Sequence, residues 1–268
     1  MKRLAIVALV VLPGVAAAHE FWLEPSTFRP ARGQQVTVAL RVGMKLNGES
    51  FPRVPQLIDR FLVKGKGAEV LVDGPAFADP AGTALVSQAG LSWIGYQSHP
   101  FPLTLEAKTF EEEYLREEGL ERIIEERARR GQSAEPGRER FYRCAKALLD
   151  AGGAPVTGVF DRPLAFTLEL VPKKNPYRLR PGGDLPLTLL FRGKPAPNVL
   201  VTALSKEDPD QRVRARTDGK GQVTLRLGRP GFWLVKAVQM EAAPADSGFD
   251  WESWWASITF ELSGAPGK

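Results

Sequence analysis

From residue 20 to about residue 40, apolar and polar positions alternate: Phe21 and Leu23 on one side, then Gln34, Val36, Val38 and Leu40 set against Gln35, Thr37, Ala39 and Arg41. A period of two is what a strand with one buried face requires. Pro25, Pro30 and Gly33 punctuate the turns between such runs. Residues 43–55 read as a long polar loop with Asn47-Gly48 as its turn. Residues 58–63 and 69–72 read as strands closed by Asp73-Gly74-Pro75, and residues 84–97 as two more reaching His99-Pro100. In the last third, residues 164–171, 185–191, 199–204, 214–217, 223–227, 232–239 and 257–262 form short apolar runs at close spacing. That rhythm predicts a β-sandwich.

The middle of the chain changes period. Thr109-Phe110-Glu111-Glu112 is a capping box that opens a helix, restarting at Gly119 and running to about Arg130. Glu112 with Arg116, Glu118 with Arg122, Glu125 with Arg129 and Glu126 with Arg130 are acid-to-base pairs four residues apart, which predicts a solvated face. Residues 137–150 read as a second helix. Phe141, Cys144, Ala145, Leu148 and Leu149 form its apolar stripe, and Glu139, Arg143 and Lys146 its charged surface. The fold class expected is mainly β: two β-sandwich lobes, at 19–108 and 154–268, with a helical insertion of two to three helices at 109–153.

Composition adds the compartment. Lys2 and Arg3, an apolar run at 4–12 and Ala16-Ala17-Ala18 predict a signal peptide over residues 1–18. That run is too short to anchor in a bilayer, and no cysteine follows for lipid attachment. A soluble periplasmic protein is expected, without a membrane span after signal removal, acting as a monomer. Once Lys2 and Arg3 are gone, 34 basic residues face 31 acidic ones, a net charge of +3, which argues against nucleic acid as a partner. The single cysteine, Cys144, excludes an intramolecular disulfide and reads as a buried thiol. No Gly-x-Ser-x-Gly elbow, phosphate-cradling Gly-rich loop with Lys-Ser or Lys-Thr, CxxC or HExxH motif occurs. The chain is therefore not expected to be an enzyme.

The remaining chemistry sits at the expected cut. Cleavage after Ala18 gives His19 a free α-amine beside its own imidazole, and the two nitrogens can chelate nickel, cobalt or copper. The chain holds one other histidine, His99. If it reached the same point, the three nitrogens would form a histidine brace suited to copper. His99 precedes a proline, which favours a strand end or turn; that suits a ligand and equally an exposed loop residue. His19 could likewise simply begin an edge strand. Three functions stay open: a divalent-metal-binding accessory protein; a copper-dependent histidine-brace oxidoreductase; or a non-enzymatic envelope module binding protein or glycan. Trp251, Trp254 and Trp255 could form a stacking platform, but packing across a domain junction is the plainer reading.

Several stretches together carry a resemblance. They are His19-Glu20-Phe21-Trp22-Leu23-Glu24-Pro25, FEEEYLREEGL at 110–120, RERFYRCAKALL at 138–149, LELVP at 168–172 and TDGKGQ at 217–222 with Gly231-Phe232-Trp233-Leu234-Val235. In these the chain resembles a bacterial periplasmic family of unknown function, often labelled as the periplasmic component of nickel or cobalt transport systems. The resemblance implies metal uptake with a membrane transporter as partner, and His19, not His99, as the residue that carries over. Residues 193–238 also resemble the prealbumin-type sandwich of carboxypeptidase regulatory domains, which implies an Ig-like or prealbumin-like C-terminal lobe and no particular chemistry.

Overall fold

The computed structural model describes residues 20–152 and 159–264, so the expected signal peptide and His19 lie outside the described residues. The chain is mainly β, as its alternating pattern predicts. The strands of the first half are β1 (Glu20–Pro25), β2 (Gln35–Met44), β3 (Asn47–Phe51), β4 (Ile58–Lys64), β5 (Val70–Leu71), β6 (Gly82–Leu85), β7 (Leu91–Ser98), β8 (Phe101–Leu105) and β9 (Gly137–Asp150). A π-helical segment (Thr109–Leu115) and α1 (Glu121–Arg129) stand between β8 and β9. The second half holds β10 (Leu168–Pro172), β11 (Gly183–Phe191), β12 (Lys194–Pro195), β13 (Leu200–Ser205), β14 (Asp208–Arg216), β15 (Gln222–Leu227), β16 (Gly231–Ala242) and β17 (Trp251–Leu262).

Among the described residues these strands form three sheets. The largest has nine strands in the order β14-β13-β16-β17-β9-β7-β4-β5, with β8 also paired to β9. Two four-stranded sheets are β1-β2-β3 with β6 on β2, and β10-β11-β12 with β15 on β11. β17 and β9 pair in parallel, from Trp251 opposite Glu139 to Thr259 opposite Ala147. Through that joint, strands from both halves of the chain share one hydrogen-bonded sheet. The buried core is continuous as well, running from Leu23, Val38 and Trp93 to Leu187, Leu225 and Ile258.

Three expectations are corrected. Residues 137–150 are the strand β9, not a second helix. β9 lies in the middle of the large sheet and is buried on both faces from Arg143 to Leu149, so apolar residues fall on both of its faces and a helical stripe can be picked out of them by chance. The expected loop at 43–55 is a hairpin: Met44 pairs with Asn47 across Lys45-Leu46, both at positive φ (54° and 59°). Two such residues make the turn whose twist matches the flanking strands, so Asn47-Gly48 belongs to a strand. Finally, Lys108 and not Thr109 precedes the π-helical segment, and no side chain caps it.

β1 is the element that positions the site. It packs against the large sheet, where the Thr259 hydroxyl donates to the Leu23 carbonyl at 2.8 Å. Alternation then sends Phe21 and Leu23 into the main core and Trp22 into a small cluster with Leu46, Leu204 and Leu234. Gly48 is required there, because a Cβ would stand 2.3 Å from the Trp22 ring.

Candidate functional site

Charged residues gather, buried, where β1 begins. Glu20, the first described residue, is 4% exposed, and its Oε1 lies 3.6 Å from the Lys236 ammonium of β16. Lys236 donates to Glu118 at 2.6 Å. On the other side of β1 the Phe21 ring packs on Tyr96, with centroids 5.3 Å apart, and 4.5 Å from the Arg143 guanidinium of β9. Phe51, Phe101 and Phe141 complete a cage around that guanidinium. Two strand positions further back from Phe141, Glu139 is fully buried and accepts from the Tyr114 hydroxyl at 3.0 Å and from the Ser253 hydroxyl. Trp255 donates its indole N–H to Ser253 at 2.9 Å.

The electrostatics follow from burial. Removal from water raises the Glu139 carboxyl to about 7, against the lowering effect of its bonds from Ser253, Tyr114 and Trp255. The same effect lowers Arg143 to about 10, opposed by Tyr96, and raises Tyr96 to about 12. Several buried polar atoms here have no hydrogen-bond partner among the described residues: Glu20 Oε2, Glu139 Oε2, Arg143 Nη1, Tyr96 Oη and Ser257 Oγ. Each such atom costs roughly 1–3 kcal/mol. Native folds keep few of them, and Glu20 Oε2, Arg143 Nη1 and Tyr96 Oη belong to residues next to or in contact with Phe21 of β1, where a bound ligand could meet them.

His19 is bonded to Glu20 and lies outside the described residues. His99 is exposed, and its N–H donates to the Leu57 carbonyl at 3.0 Å. It occupies a bulge: Gln97 pairs with Cys144 and Phe101 with Phe141, so three residues, 98–100, oppose two on β9. Both histidines precede by two residues a phenylalanine of the Arg143 cage, Phe21 and Phe101. Among the described residues no three His, Cys, Asp or Glu side chains gather into a metal site. Cys144 is buried and its thiol is raised to about 12 by burial, which leaves it inert.

Glu118, Glu139, Arg143 and Lys146, expected on solvated faces, are all buried, as is Lys236, which nothing in the local pattern marks. Glu126–Arg130 does pair on the surface, at 2.7 Å. The missed signal is the spacing Glu139, Phe141, Arg143: read with period two, it puts acid, aromatic and base on one strand face.

Comparison with protein families finds a match to the model described as Domain of unknown function (DUF4198), over residues 16–241. No curated protein matches the chain. A solved tetra-tandem repeat from the extending region of a large adhesion protein is 13% identical at a TM-score of 0.23, covering 92% of this chain. This chain spans half the length of that structure, at 50%. The D0-D1 domain of intimin is 12% identical at a TM-score of 0.20, with 91% of this chain and 98% of that one covered. Likenesses this weak carry no argument.

Proposed function

We propose that this chain, which belongs to the DUF4198 family, is a periplasmic accessory protein that binds nickel, cobalt or copper and presents it to a membrane transporter. Signal cleavage after Ala18 makes His19 the first residue, and its amine and imidazole close a chelate on the metal. His99 or a carboxylate supplies the next donor; the unpartnered Oε2 of Glu20 is nearest in the chain. The ion is cargo, so exchange matters more than permanence, and a short donor set suits that task.

One observation carries the reading. The strand that follows His19 is anchored from its first residue, with Glu20 buried against Lys236 and Phe21 against Arg143 and Tyr96. A terminus tied to a rigid strand offers its donors with little left to order on binding. Among the described residues no helix is long and apolar enough to cross a membrane.

The test is calorimetry with nickel, cobalt and copper on exported protein whose mass confirms His19 as residue one, beside His19→Ala. We expect one ion per chain, with affinity lowered at least a hundredfold in the variant. Equal binding by the two proteins overturns the proposal.

A further inference from the structure

Four basic side chains are buried in the described residues: Arg127, Arg143, Lys146 and Lys236. Three of them meet a carboxylate: Arg127 with Glu111 at 2.9 Å, Lys146 with Glu169 at 2.7 Å and Lys236 with Glu118 at 2.6 Å. That is the usual rule, because an isolated buried charge costs far more than a paired one. Arg143 is the exception. Its neighbour Tyr96 is a phenol raised to about 12 and so uncharged near neutral pH, and among the described residues no acid lies within ion-pair distance. Nor is a side-chain acid hidden elsewhere: residues 1–19, 153–158 and 265–268 contain no Asp and no Glu.

What surrounds Arg143 is instead aromatic. The rings of Phe21, Phe51, Phe101 and Phe141 lie 4.5, 4.9, 4.8 and 5.5 Å from the guanidinium carbon. Such contacts satisfy the faces of the planar cation. They leave its edge, where the N–H donors lie, unsatisfied: Nη1 has no partner, and neither has the Tyr96 hydroxyl. Phe51, Phe101 and Phe141 are only half-buried, so the rim of the box reaches solvent while Nη1 lies within it. A planar fork of N–H donors matches the two oxygens of a carboxylate.

We propose that Arg143 is the receptor for a carboxylate carried by a small ligand. Resting on the metal reading above, the cargo is then a metal–carboxylate chelate, its metal held at His19 and its free carboxylate at Arg143. Chain reach allows the span: His19 is bonded two residues ahead of Phe21, whose ring lies on the guanidinium, about 7 Å of extended chain at most.

Citrate is the probe. Titrated calorimetrically into the metal-free mature protein, it is expected to bind one per chain, at least tenfold more weakly to Arg143→Lys, which keeps the charge but loses the fork. A preformed 1:1 nickel–citrate complex is expected to bind wild type at least tenfold more tightly than nickel alone, and Arg143→Lys without that gain. Unfolding midpoints taken alongside show whether the variant folds. If it does not, Tyr96→Phe replaces it, with a threefold or greater weakening of citrate binding expected. No saturable citrate binding to wild type, or unchanged binding in the folded variant, overturns the proposal. The two readings fail separately, since citrate binding without metal involves no histidine and nickel binding without citrate involves no Arg143.

Discussion

Glu139 shows how much a single buried group can control. Its carboxyl is raised from 4.5 to about 7 by burial. Below pH 4.5 it is protonated in folded and unfolded chains alike. Between 4.5 and about 7 the unfolded chain releases the proton while the folded one keeps it, so stability falls as pH rises, by on the order of 3 kcal/mol in all. Urea midpoints measured from pH 4 to 8 should show that fall, and Glu139→Gln should flatten it and be the more stable protein at pH 8. Lys146 tests the opposite case. It and Glu169 are both 1% exposed, and Glu169 also accepts from the Leu164 and Phe166 amides. Lys146→Met leaves that carboxylate without its cation and should cost about 3–5 kcal/mol in equilibrium unfolding. At this scale the sequence marks His19 by its place after the expected cut and His99 as the one other histidine. It could not mark Arg143 or Glu139, because what sets them apart is the company they keep after folding.

Among elements, β9 is the one whose local pattern and fold disagree most. Its residues support a helical stripe and a doubly buried strand equally well, and only the neighbours β7 and β17 decide between them. Cys144 is buried on a helix stripe or a central strand alike, and burial pushes its thiol up to about 12, so no reaction with a thiol reagent is expected at pH 8 until denaturant is added. β1 was legible from alternation alone. The hairpin behind it was not, since Lys45 and Leu46 carry none of the usual marks of a positive-φ turn. Its fit to β1 is exacting at one point: Gly48→Ala would drive a methyl group into the fully buried Trp22 ring. The expected cost is about 1–3 kcal/mol, read as a lowered unfolding midpoint.

Across the whole molecule, the close spacing of short apolar runs foretold a mainly β chain. The parallel pairing of β9 with β17, which ties residues 139–147 to residues 251–259, has no counterpart in local pattern. A long-range pairing of that kind couples distant segments, so calorimetric unfolding should give one transition. In the proposed function, maturation is to place a free amine and an imidazole together ahead of an anchored strand. The most direct measurement compares two mass-verified proteins, one beginning at His19 and one that retains Ala18 in front of it, by nickel and copper calorimetry. We predict one tightly bound ion in the first and at least a hundredfold loss in the second, whereas equal binding by both would contradict the account.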